Sequence, residues 1–257
     1  MQRTENTDIR ILTWNILSEE LTPGVPTICE RMPEIVKFIR ENDPDAAGIQ
    51  EISEEAYAMF DKYLGDTYEL VNPMTKEGNY SFTGVMYNKL RYRLLDSDIE
   101  NYPLGNRRIR VANWIYIENI ETSYRLVLLS THWDRHACNR VPQAEYMADM
   151  VKALEERFGC GVITVGDYNA LEESCAFKTF ISRSGYKDAK YCSNEVVNNR
   201  FTGHDIGNPE PQKEGTQSID HITMNDVFDV LHYENVITPE LISTSDHLPV
   251  YVDLKIK

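Results

Sequence analysis

Eight side chains able to do chemistry stand where short apolar runs of this 257-residue sequence stop: Asn15, Glu51, His132, Asp167, Asn169, Asp220, Asp246 and His247. They are carboxylates, carboxamides and imidazoles, with no thiolate among them. Carboxylate and amide oxygens are hard ligands that suit Mg2+, Mn2+ or Ca2+ better than zinc, and magnesium binds through few carboxylates plus substrate phosphate. The set points to phosphoester hydrolysis. That reaction needs a cation to polarise the phosphoryl oxygen, a base to orient water, and donors for the developing charge. Glu51, helped by Asn15, can hold the metal; Asp167 can take a proton from water; Asn169, His132 and His247 can donate to phosphate oxygens. Asp220 and His247 can pair so that the carboxylate sets the imidazole tautomer and favours its protonated form. Arg108 lies in the densest positive run (Arg107, Arg108, Ile109, Arg110) and could approach an anionic substrate, although a solvated strand edge is the plainer reading of that run. Taken singly, each group has an ordinary alternative: Asp-x-Asn after a strand is a common turn, and solvent satisfies most glutamates at a strand's end. Recurrence at successive strand ends is the signal.

Such groups must be positioned by buried strands. The run Val162, Ile163, Thr164, Val165 is short and β-branched, as a strand covered on both faces should be, and Gly166 is expected to turn the backbone sharply before Asp167 and Asn169. Residues 9–14, 46–49 and 126–129 read the same way and run into Asn15, Glu51 and His132. Met32, Ile35, Val36 and Ile39 recur at helical spacing, as do Ala56, Phe60, Tyr63 and Leu64 after a Ser53 cap, and Ala144, Met147, Val151, Leu154 and Phe158 before Gly159. Strands are also expected over residues 68–71, 84–87, 111–117 and 218–222. The alternating carboxyl-terminal run 248–254 contains Pro249, which allows it only an edge position or a strand start. Residues 191–217 are polar and turn-rich and read as a long surface loop of the kind that selects a substrate.

The composition is that of an ordinary globular chain, 42% hydrophobic and 26% charged, without a Pro/Gly/Ser-rich linker, so one domain spanning residues 1–257 is expected. A net charge of -15 repels a phosphodiester backbone at long range and argues against indiscriminate binding to duplex nucleic acid. Five scattered cysteines without Cys-x-x-Cys spacing suggest neither a disulfide framework nor a thiolate zinc site, and fit a reducing, cytoplasmic setting. No apolar run is long enough to span a bilayer.

Thr13-Trp14-Asn15, Ile49-Gln50-Glu51, Ser130-Thr131-His132, Gly166-Asp167-Tyr168-Asn169, Ser218-Ile219-Asp220 and Ser245-Asp246-His247 stand in an order that resembles the endonuclease/exonuclease/phosphatase superfamily. Each motif is weak alone; six in order are specific. The resemblance covers nearly the whole chain. It implies a four-layer α/β sandwich, two central mixed sheets packed face to face with helices outside, and a divalent-metal site at one edge. It also implies Glu51, Asn15 and Asp246 at the metal, Asp167 and Asn169 orienting water and phosphate, Asp220 paired with His247, and His132 as a phosphate-binding or acid group. His221 stands where the family often has an aromatic residue, and Tyr168 where phenylalanine is common. The expected activity is metal-dependent phosphodiester hydrolysis by a monomer acting on a small phosphodiester, nucleotide, single-stranded nucleic acid or lipid head group. A phosphomonoesterase of a sugar or inositol phosphate, and a catalytically silent binding module, are the rival expectations.

Overall fold

The apolar runs become the strands of two mixed sheets in a computed structural model that describes residues 1–71, 78, 81–199, 201–206 and 218–257. In chain order the elements are β1 (Ile9–Asn15), α1 (Ile28–Asn42), β2 (Ala46–Gln50), α2 (Glu54–Leu64), β3 (Tyr68–Val71), β4 (Thr83–Asn88), β5 (Tyr92–Asn101), β6 (Val111–Asn119), β7 (Arg125–His132), α3 (Ala137–Phe158), β8 (Gly161–Asp167), α4 (Cys175–Ser184), β9 (Lys187–Asp188), α5 (Ala189–Cys192), β10 (Val196–Val197), β11 (Asp220–Met224), β12 (Phe228–Asn235), α6 (Pro239–Ile242) and β13 (Val250–Ile256). One sheet has the order β10-β12-β13-β1-β2-β4-β3 and the other β5-β6-β7-β8-β11-β9.

Period-2 alternation in strands and period-3.6 stripes on helices assemble these into four layers. Ile9, Ile11, Val85, Ile115, Leu128, Ile163, Val165 and Val252 interdigitate between the sheets. Met32, Ile35, Ile39 and Phe60 of α1 and α2 cover Leu12, Trp14 and Ile49 on the outer face of the first sheet. Met147, Val151, Phe177 and Phe180 of α3 and α4 cover Val127, Leu129 and Val162 on the other. The expected four-layer α/β sandwich is the observed architecture. Among the described residues, no helix is long and apolar enough to cross a membrane.

The pairing pattern brings the strand ends to one edge. β1 and β2 run parallel with Asn15 opposite Gln50, and β7 and β8 run parallel with His132 opposite Asp167, so four carboxyl ends coincide. β11 is antiparallel to β8 with Asp220 opposite Asp167, and β13 is antiparallel to β1, so these two strands contribute their amino ends to the same edge. Gln50 Nε2 donates to Ser130 Oγ across the sheets at 3.0 Å.

Several local expectations are corrected. Gly166 does not turn the chain out of the sheet: it is paired within β8, and its φ of 143° accompanies a Thr131 carbonyl oxygen only 2.0 Å from where a Cβ would lie. β11 starts at Asp220 rather than at residue 218 and β13 at Val250 rather than at 248; Pro249 stands just before β13, which is the strand-start alternative of the two expected for it and is compatible with the interior position of that strand. The polar segment 191–217 contains the end of α5, β10 and a bridge between Gly203 and His247; residues 200 and 207–217 of it lie outside the described residues.

Gly48 marks the closest approach of the sheets: a Cβ there would lie 2.3 Å from Val165 Cγ2 and 2.8 Å from Ser130 Oγ. Both neighbours are themselves fully buried. Gly48→Val is therefore expected to overpack the inter-sheet layer and lower stability by about 3 kcal/mol. Urea unfolding of the variant would show it, and an unchanged midpoint would contradict this account of the packing.

Candidate active site

Asp167 is the centre of the edge. Its carboxylate is buried at the end of β8, where Oδ1 accepts from Asn169 N at 2.8 Å and Oδ2 accepts from Asn15 Nδ2 at 3.2 Å and Asn169 Nδ2 at 3.3 Å. His132 Nε2 lies 3.1 Å and His247 Nε2 3.7 Å from the same Oδ2. Burial pushes the Asp167 carboxyl up, but the two imidazoles and these donors outweigh it and hold the group well below the usual carboxylate range. It is an anion at neutral pH.

His247 is held from behind. Its Nδ1 donates to Asp220 Oδ2 at 2.8 Å, its backbone N donates to Ser245 Oγ, and its carbonyl accepts from Trp14 Nε1 at 2.9 Å. Burial pushes this imidazole down, whereas the charges of Asp220 and Asp167 and the bond to Asp220 raise it well above its ordinary value. The imidazolium thus aims Nε2–H past Asp167 into the cavity, with its tautomer set by Asp220.

The oxygen ligands expected for a cation are on the other side of Asp167. Glu51 follows β2 at φ 59°, a left-handed conformation that costs a non-glycine residue of order 1 kcal/mol and is held by its surroundings. Its Oε1 accepts from Asn15 Nδ2 at 3.2 Å and its Oε2 from Ser18 N at 2.9 Å. Asn15 Oδ1 accepts from Leu17 N, so the amide steadies the two carboxylates instead of offering an oxygen. Asp246 is mostly shielded; burial pushes its carboxyl up, and Glu51 and Asp167 add to that against the opposing His247. Its Oδ1 is buried without a partner. Like-charged carboxylates with an unsatisfied oxygen fit a hard divalent cation, which would relieve both the repulsion and the orphaned acceptor. Ligand atoms of Asp167, Asp220 and His247 also lie within 4.8 Å of one another. Asp220 and His247 are engaged in their mutual hydrogen bond at 2.8 Å, which leaves Glu51 and Asp246 as further carboxylates of the cavity that could take a cation.

All eight predicted side chains meet at this edge, but they stand at different depths. Glu51, His132, Asp167, Asn169, Asp246 and His247 line a cavity of about 610 Å³, while Asn15 and Asp220 act from behind it. Arg108 is not among the lining residues: its guanidinium lies over the Phe82 ring, 4.7 Å from the centroid, and Arg110 of the same positive run lines the cavity instead. Asn106, Asp134, Arg135, His136 and Asn139 also line it and escaped the sequence reading. Asp134 follows the Ser130-Thr131-His132 motif by two residues, but nothing in that spacing sets it apart. His221 carries structure: its ring nitrogens lie 2.9 Å from Asp188 Oδ2 and from the Ala170 carbonyl, tying β11 to the loop after Asp167. Arg31 does comparable work from α1, donating to the carbonyls of Ile16, Leu17 and Thr244 and so joining the loops that carry Glu51's donor and Asp246.

No family model matches the chain, and no curated protein matches it. Solved structures do. An endonuclease/exonuclease/phosphatase from Bacteroides vulgatus is 22% identical, with 98% of this chain and 100% of the other covered at a TM-score of 0.85. A mannosyl-6-phosphatase from Bacteroides thetaiotaomicron is 18% identical, with 96% and 99% covered at 0.82. The human Nocturnin catalytic domain, solved with a bound sulfate anion, is 20% identical, with 100% and 97% covered at 0.76. At these identities the likeness is one of fold.

The His247 environment makes a pH prediction. A raised folded value means that the interaction stabilises the protein fully below about pH 6.5, the unfolded value, and is lost as pH rises through the folded value. In metal-free protein the His247 ring proton signals should titrate above the range of free histidine, and Asp220→Asn should bring them down. An unperturbed His247 titration by NMR, or one indifferent to Asp220→Asn, would contradict the pairing.

Proposed function

We propose that this chain, which has the endonuclease/exonuclease/phosphatase fold, hydrolyses phosphoester bonds by attack of water, with Asp167, His247 and a divalent cation at Glu51 and Asp246 as its working parts. The observation that carries the reading is the pairing of opposites at one cavity wall: an ionised Asp167 between two imidazoles, and a crowded carboxylate pair beside it. A hard cation bound there would polarise a phosphoryl oxygen and make a bound water more acidic. Asp167 accepts a hydrogen bond from the attacking water and orients it toward phosphorus. The His247 imidazolium donates Nε2–H to a phosphoryl oxygen, where negative charge grows in the transition state, and Asp220 keeps the ring turned for that contact. His132 and Asn169 serve Asp167 first, since the His132 Nε2 and one Asn169 Nδ2 hydrogen already point at its carboxylate.

Diester hydrolysis is the leading form of this reaction. A monoesterase is the second reading, supported by the polar character of the cavity wall beyond Arg110 and by the likeness to a mannosyl-6-phosphatase. Turnover of bis(p-nitrophenyl) phosphate against p-nitrophenyl phosphate, with Mg2+, with Mn2+ and with chelator, separates the two. Chelator is expected to abolish turnover of both.

Asp167→Asn should lower kcat by about 10³-fold, within the range lost with a general base, in a variant whose far-UV circular dichroism shows it still folded. Glu51→Gln should raise the metal concentration needed for half-maximal turnover. Full turnover by Asp167→Asn, or an unchanged metal titration in Glu51→Gln, would remove these residues from the reaction.

A further inference from the structure

We propose that Arg31, near the start of α1, is a positioning residue for the cation: one buried guanidinium holds Glu51 and Asp246 together and so sets the affinity of the site for a divalent ion. The inference rests on the cation site proposed above, and it concerns a side chain that does not itself line the cavity.

Arg31 is only 3% exposed, and its guanidinium makes five hydrogen bonds. Nε donates to the Pro26 carbonyl at 2.8 Å, Nη1 to the carbonyls of Ile16 and, at 3.0 Å, Thr244, and Nη2 to the Leu17 carbonyl and, at 3.4 Å, Glu19 Oε2. A planar fork with five N–H donors holds several carbonyls at fixed angles, which an ammonium on a flexible stem does not reproduce. Burial lowers the guanidinium value, while the charges of Glu19, Asp246 and Glu51 act to keep it charged.

Ile16, Leu17 and Pro26 belong to the segment between β1 and α1, and Thr244 to the segment before β13. Each segment leads to one carboxylate. In the first, Leu17 stands at φ 57°, a strained left-handed conformation for a residue with a side chain. Its N donates to Asn15 Oδ1 and its carbonyl accepts from Arg31, so the strained residue is clamped on both sides. Ser18 then presents its N to Glu51 Oε2 at 2.9 Å. In the second segment Thr244 stands two residues before Asp246, and Ser245 Oγ donates to the Asn15 carbonyl at 2.7 Å, tying the two segments at a second point.

Position matters here because Glu51 and Asp246 repel each other. Carboxylates without support relax apart and must be drawn together when an ion binds; a preorganised pair binds without that cost. The positive charge of Arg31 acts in the opposite sense, since it repels a cation. Fixed geometry outweighs that repulsion.

Mn2+ binding to the full chain, read by electron paramagnetic resonance without substrate and confined to the site lost in Glu51→Gln, tests this balance. Arg31→Lys keeps the charge and loses the fork; Arg31→Met loses both. Each is expected to weaken Mn2+ binding at least tenfold at a temperature where far-UV circular dichroism shows it folded. A purely structural role would lower the melting temperature and leave the Mn2+ Kd of the folded protein unchanged, which would overturn the proposal. Tighter binding by Arg31→Met would also overturn it, because repulsion would then be the larger effect. Should both variants fail to fold, Glu19→Ala, which removes a partly exposed partner of Arg31, is compared with Glu20→Ala, which removes the same charge from the exposed neighbouring position. Glu19→Ala should weaken binding severalfold more than Glu20→Ala, and equal effects would overturn the proposal. A wild type that binds no Mn2+ at this site defeats the cation site and the role of Arg31 together. Wild-type Mn2+ binding without hydrolysis of any phosphoester defeats the hydrolase reading alone, and variants that bind as wild type does defeat the role of Arg31 alone.

Discussion

The structure depends on keeping one carboxylate charged away from water. An ionised carboxylate loses several kcal/mol of solvation on burial unless donors and positive charge replace the water. Asp167 receives that replacement from Asn15, Asn169, His132 and His247. Those donors come from both sheets, with Asn15 and His247 on one and His132 on the other. The charge therefore survives only while the two sheets stay in register, and the sandwich is the device that holds the donors in place.

Register across the sheets is set by small residues and short contacts rather than by the site residues themselves. Gly48 lets Val165 and Ser130 come close, and Gln50 reaches Ser130 through the same layer. Mixed strand direction then brings carboxyl ends of β1, β2, β7 and β8 and amino ends of β11 and β13 to a common edge. Behind the edge, the Trp133, Tyr168, Phe177 and Phe180 rings pack against one another, and His221 braces the Asp167 loop through Ala170. Sub-ångström control of the kind a hydrolytic site requires comes from such packed supports.

Electrostatics divide the cavity into two ends. At one, Glu51 and Asp246 concentrate negative charge with an orphaned acceptor, an arrangement that a cation satisfies. At the other, Arg110 is partly desolvated, which lowers its guanidinium value, while Asp167, Asp134 and Glu51 act to keep it charged. A phosphoester lying between them would meet positive charge from Arg110 and His247 and from any bound ion. In a chain of net charge -15, these positive groups set the cavity apart from the acidic balance of the whole.

Apolar periodicity, strand-end polar residues and helix signals such as Ser53 and Gly159 are local properties, so the main strands and helices and the eight-residue constellation were legible from the order of residues, whereas the four layers were expected only from the resemblance to the superfamily. Weakly patterned segments were not legible. β5, an edge strand carrying Asp96, Asp98 and Glu100, and β12, which mixes Asp229, His232 and Glu234 with its apolar residues, gain their strand structure from neighbours' hydrogen bonds. Helix α4 carries both end signals, Ser174 and Gly185, but its apolar stripe is too short to stand out. Nor could the sequence choose Arg110 over Arg108, since both lie in one positive run and only the approach of Gly105 and Asp134 decides which guanidinium enters the cavity. The types of group at the site follow from chemistry written residue by residue. Their depths, donors and charge states depend on distances between segments far apart in the chain, and those exist only once the two sheets have packed.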